Sequence, residues 1–65
     1  MTELEKLKHL ILHWIEHNDA HVNTYSEWVL KADALGEKEV SEILSKVVVE
    51  SRKQGELFKK ALEII

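Results

Sequence analysis

Cysteine and proline are both missing from this 65-residue chain. Without cysteine there is no disulfide, no thiolate metal site and no covalent haem attachment of the c type. With no proline, and glycine only at Gly36 and Gly55, the composition fits neither a loop-rich nor a disordered protein. Positive charge is not in excess. Nine basic residues stand against twelve acidic ones, for a net charge of −3, and no basic stripe offers nucleic acid a footprint. Long hydrophobic runs are also lacking. The longest near the start, Leu10 to Leu12, is far too short for a signal-peptide core or a membrane span, so a cytoplasmic location is expected. Catalytic equipment is sparse too. No nucleophile is paired with an oriented base, no glycine-rich loop would cradle phosphate, and a short helical chain offers little cleft. The expectation is that it is not an enzyme.

What the chain does contain is helical pattern. Thr2 and Glu5 form a capping box at the start of an apolar repeat. Leu4, Leu7, Ile11, Trp14, Asn18, His21, Tyr25, Trp28, Ala32 and Leu35 follow in alternating steps of three and four, the seam of a helix packed on other helices. Gly36 then supplies the left-handed residue that ends a helix. A second seam runs through Val40, Leu44, Val47, Ser51, Gln54, Phe58, Ala61 and Ile65. The reading is a single all-α domain over residues 1–65, with helices at about 3–34 and 38–64 in an antiparallel hairpin. A chain of this size buries only roughly 60% of its unfolded surface. Two helices cannot enclose a core, so a homodimeric four-helix bundle is expected.

The chemistry-bearing feature is a ladder. The chain's four histidines are His9, His13, His17 and His21, with Tyr25 as a fifth rung. On a helix each rung rises about 6 Å and turns about 40°. Imidazole is the commonest protein metal ligand and the side chain most easily charged near neutral pH. Folding the chain back about Gly36 brings Asn18 near Gln54, His21 near Ser51 and His17 near Gly55. Both seams therefore turn polar or small at one level.

Two explanations of that layer compete. One is a hydrogen-bonded band of His17, Asn18, His21, Ser51 and Gln54, with Tyr25 adding its hydroxyl, that fixes register and partner number. The other is a metal site, with His17 and His21 as an i,i+4 pair like that of H-E-x-x-H helices, completed by Glu50 as the best-placed carboxylate or, in a two-fold dimer, by His17 and His21 of the second chain, with His13 as an edge or entry ligand. His9 falls outside the seam and reads as a solvated side chain. Glu16 and Asp19 lie near the ladder and read as solvated charges. Trp14 and Trp28 read as core, and Gly55 as a residue that makes room. Nitrogen and oxygen ligands without sulfur suit Zn²⁺, Ni²⁺ or Co²⁺. With no Glu-x-x-His repeat, a di-iron centre is not expected. The metal explanation requires the imidazoles to face inward. With the rings outside and aliphatic groups in the centre, only an assembly motif would remain.

The run His13-Trp14-Ile15-Glu16-His17-Asn18-Asp19-Ala20-His21, with Tyr25 and Trp28 beyond it, resembles the H-W-x-x-H-N-x-x-H signature of small uncharacterised helical-hairpin domains of archaea and bacteria. The resemblance covers most of the chain, including the Leu35-Gly36 turn. It implies the binding or handling of transition metals and points to His13, His17, Asn18 and His21. Three functions follow from the sequence. The first is a non-catalytic carrier, buffer or sensor for a divalent metal, with a second copy as partner and a place among metallation proteins. The second is a homo-oligomerisation or protein-interaction module specified by its polar layer. The third is haem binding in the bundle, with His17 or His21 as axial ligand.

Overall fold

The computed structural model describes residues 2–65. Helix α1 spans Glu3–Ala34 and helix α2 spans Lys38–Ile64, at the expected bounds. Thr2 adopts extended backbone, and its hydroxyl oxygen accepts from the Glu5 amide at 3.2 Å. The same hydroxyl donates to the Glu5 carboxylate at 3.3 Å. The first bond is the N-cap half of the anticipated capping box and satisfies one otherwise free amide of the first turn; the Glu5 carboxylate bonds the Thr2 hydroxyl, where the reciprocal half would use the Thr2 amide.

The turn is built by its glycine. Gly36 lies at φ 84, a conformation that costs a residue with a Cβ roughly 1–2 kcal/mol. It lets the Glu37 amide donate to the Ala32 carbonyl and the Gly36 amide to the Asp33 carbonyl, both at 3.0 Å. That pair of bonds is the Schellman arrangement, which caps the last carbonyls of a helix. Lys38 Nζ reaches back to Asp33 at 2.7 Å across the same corner. Both side chains are solvated, so the pair adds little.

The two helices lie side by side in a plate of 51 × 16 × 11 Å, one helix thick. Their shared seam consists of Ile11, Ile15, Asn18, Val22, Tyr25, Val29 and Ala32 on α1, and Ser41, Leu44, Val48, Ser51, Gly55, Phe58 and Leu62 on α2. Every buried residue among those described falls in this set. The steps alternate three and four, as the sequence pattern required. However, the seam differs from the expected one by one residue at every second position. Ile15, Val22 and Val29 replace Trp14, His21 and Trp28; Ser41, Val48 and Gly55 replace Val40, Val47 and Gln54.

Side-chain size explains the rotation. Small residues at Ala32, Ser41, Ser51 and Gly55 let the helix axes come close, and a close approach admits isoleucine and valine but leaves no room for indole rings. Trp14 is 42% exposed and Trp28 is 49% exposed. No helix among the described residues is long and apolar enough to cross a membrane.

Candidate functional site

A second set of alternating steps flanks the inner seam on each helix. On α1 it runs Leu7, Leu10, Trp14, His17, His21, Thr24 and Trp28. On α2 it runs Val40, Ile43, Val47, Glu50, Gln54, Leu57 and Ala61. All of these except Ala61 are exposed. In both helices the flank carries the lower residue numbers beside each seam position. For antiparallel helices of the same hand, that puts both flanks on one side of the plate. A shallow groove along α2 is lined by Ile43, Val47, Glu50, Ser51, Gln54 and Leu57, together with Lys46 and Lys53.

The opposite side differs in kind. Its inter-helix groove is lined by Asp19, Asn23, Arg52, Glu56 and Lys59. The large apolar residues there, Leu12, Leu30 and Val49, are exposed and separated from one another. One side of the hairpin is therefore apolar along most of its length, and the other is charged.

The imidazole ladder belongs to the apolar side. The His17 and His21 rings meet edge-on with centroids 4.6 Å apart. His13 stacks on His17 at 5.8 Å, and Tyr25 stacks on His21 at 5.8 Å. His13 itself lies one step outside the apolar flank and is exposed, as is His9. Cross-helix register is fixed by three pairs: Trp14 with Phe58, whose ring centroids lie 6.0 Å apart; Asn18 with Ser51; and Ser41 with Val29, bonded hydroxyl to carbonyl at 2.9 Å. By that register His17 stands level with Gln54, and His21 with Glu50.

Several expectations about the polar layer are corrected here. The rings of His17 and His21 are exposed, and Ile15, Val22 and Val48 fill the centre of the hairpin instead, so the inward-facing site that the metal explanation required within one hairpin is not met. Of the expected layer, Asn18, Tyr25 and Ser51 lie in the seam. The Asn18 Nδ2 donates to the Ser51 carbonyl at 2.9 Å, and a Cβ built at Gly55 would lie 2.9 Å from that same nitrogen. Gly55 does make room, but for Asn18 rather than for His17 or Trp14. The amide reaches backbone that a side chain on the next turn would cover. Gln54 and Glu50 are exposed, and Glu50 pairs with solvated Lys53 at 3.4 Å. Trp28 leaves the core and lies under Lys31, whose Nζ sits 4.5 Å from the ring centroid. Among the described residues, no group of three or more histidine, aspartate or glutamate side chains within the chain is placed to hold one ion. His13, His17, His21 and Glu50 therefore do not form a ligand set by themselves.

Sequence reasoning did not separate the apolar flank from the seam. The signal was present, because Leu7, Leu10, Val40, Ile43 and Leu57 widen the apolar arc beyond what one partner helix covers.

The family model described as "Domain of unknown function (DUF8180)" matches residues 7–65. An uncharacterized protein of Archaeoglobus fulgidus is 31% identical over 62 residues, covering 95% of this chain and 98% of that protein. No solved structure matches. The chain belongs to the DUF8180 family.

Proposed function

We propose that this member of the DUF8180 family is a self-assembly module in which two hairpins pair through their apolar sides as a four-helix bundle. The observation that carries the reading is the second, outer seam. Both helices repeat apolar residues at seam spacing on one side of a plate one helix thick, and no element among the described residues covers them. A helix in a four-helix bundle needs two seams, one for each neighbour. Here the inner seam serves the hairpin, and the outer seam suits a second copy.

Surface area supports the second copy as the occupant. The chain exposes 5134 Å², whereas a compact monomer of 7.6 kDa is expected to expose about 4,300 Å². The excess, roughly 800 Å², is about what one partner contributes to a stable interface of standard size. Self-pairing also matches like with like. Each outer seam is apolar toward both ends and polar in the middle, so a two-fold superposes the polar band of one copy on that of the other.

The test is sedimentation equilibrium on the untagged chain. The wild type is expected to be dimeric. Ile43→Glu places a charge on the apolar side at a position 59% exposed in the hairpin, so it should yield a helical monomer. Val49→Glu, on the opposite side, should leave the dimer intact. A wild type that is monomeric with and without a divalent metal, or equal effects of the two changes, refutes the reading.

A further inference from the structure

We infer that the bundle holds a divalent first-row metal ion between its two chains, bound by His17 and His21 of one copy together with the same pair from the other. The inference rests on the assembly proposed above and adds a ligand to it.

The first observation is the state of the pair. His17 and His21 stand on successive turns of α1 with ring centroids 4.6 Å apart, and both are exposed on the apolar side. An i,i+4 pair presents two nitrogens toward one point beyond the helix surface, which is the use made of it in helical metal sites. The second is insufficiency. Within the described residues of one chain no third ligand joins them, so the site is incomplete until another chain supplies its own.

The third is position. The midpoint of Glu3–Ala34 falls between His17 and His21, and the midpoint of Lys38–Ile64 falls between Glu50 and Gln54. Any two-fold that brings the two plates into full overlap therefore passes through the imidazole band. All four rings then share one layer, whether α1 lies on its counterpart or on the α2 of the other copy.

The fourth is the cost of leaving that layer empty. Trp14 and Trp28 bracket the band with apolar surface, so closing the interface strips water from the imidazoles. Buried polar groups require partners. Glu50 and Gln54 offer some, and an ion engages four ring nitrogens at once. Four neutral imidazoles form a tetrahedral nitrogen set, which suits Zn²⁺ and Co²⁺ and is also within the range of Ni²⁺. His13 and His9 lie outside the band and take no part.

The experiment uses Co²⁺ as probe and the untagged full-length chain. Titration should develop the intense visible d–d absorption of a tetrahedral site, saturating at one ion per two chains, and Zn²⁺ should abolish it. His17→Gln with His21→Gln should lose the band, while His9→Gln with His13→Gln should keep it. Sedimentation of each sample separates the two levels. A dimer that takes up no Co²⁺, or that binds one ion per chain unaffected by Ile43→Glu, overturns the metal site and leaves the assembly standing. A chain that is monomeric with and without Co²⁺ overturns both. A chain that dimerises only with Co²⁺ supports both.

Discussion

Replacing Gly55 with alanine sets two opposed effects against each other, and the structure determines which wins. Glycine in a helix interior is about 0.8–1.0 kcal/mol less favourable than alanine, so on propensity alone the change stabilises. The new methyl, however, would sit 2.9 Å from Asn18 Nδ2, closer than side-chain carbons approach such atoms. Asn18 must then withdraw from the Ser51 carbonyl, which its amide now reaches at 2.9 Å. Losing a half-buried hydrogen bond costs about 0.5–1.5 kcal/mol net. Swinging aside relieves the clash but leaves the amide without a partner in the seam, which raises the cost to about 1–3 kcal/mol. Set against the propensity gain, the balance is a loss of about 1 kcal/mol, which for a domain of this size lowers Tm by about 4–8 °C.

The assay is a double-mutant cycle with Asn18→Ala, read by thermal or denaturant unfolding at one fixed chain concentration, since association contributes to apparent stability. In the Asn18→Ala background the clash and the bond are both gone. There Gly55→Ala should stabilise by the full helix-propensity gain, about 0.8–1.0 kcal/mol. The sign of the glycine change therefore reverses with the partner, and the coupling is about 2 kcal/mol, within the range seen for contacting residues. If Gly55→Ala stabilises equally in both backgrounds, the assignment of Gly55 as a notch for the Asn18 amide is wrong.

Two further outcomes follow from other positions. Gly36→Ala should destabilise the hairpin by about 1–2 kcal/mol in thermal unfolding, because φ 84 is costly for a residue with a Cβ; a neutral result would mean the turn relaxes to another geometry. His17→Leu with His21→Leu should raise the dimer's resistance to urea when no metal is present, since apolar replacements remove a buried polar band; a weaker dimer would show that the band contributes binding energy without an ion.

Much of the fold was legible because local signals agreed. Thr2 with Glu5 marks one helix start, Gly36 marks the turn, and the uninterrupted three-four spacing requires helices between them. Each is a short-range rule whose outcome depends on a few neighbouring residues. The pairing of Trp14 with Phe58 was also recoverable, since a short turn leaves the hairpin little choice of register. The rotation of each helix about its own axis was not. A broad apolar arc has more than one face able to meet a partner, and the largest side chains do not decide which is used. Trp14 and Trp28 draw attention on size, yet the axes close on the side where Ala32, Ser41, Ser51 and Gly55 permit it. The expected seam took alternate positions from two real ones: Ile11, Asn18, Tyr25 and Ala32 from the inner, Trp14, His21 and Trp28 from the outer.

That merger bears directly on the histidines. A seam drawn through His21 buries the ladder inside a hairpin, where an ion would need Glu50 and the ring nitrogens of one chain. Once the seams are separated, Asn18, Tyr25 and Ser51 lie in the hairpin seam, and the Asn18 amide donates to the Ser51 carbonyl. The imidazoles move to the face that the chain leaves uncovered. This division has a physical logic. An asparagine bonded to its own chain fixes the register of the hairpin whether or not a second copy is present. Imidazoles on the uncovered face remain solvated in the single hairpin and lose water only on assembly. Any chemistry they perform is therefore conditional on pairing: the hairpin comes first, and the ion is held only where a partner is. In a protein with His17 and His21 buried in the hairpin, metal uptake would be independent of chain concentration. Here it should weaken as the chain is diluted through its dimer dissociation constant, and Co²⁺ absorption measured across a dilution series at constant metal excess reads that dependence directly. Absorption per chain that stays constant to dilutions at which sedimentation shows monomers would place the ligands within one chain.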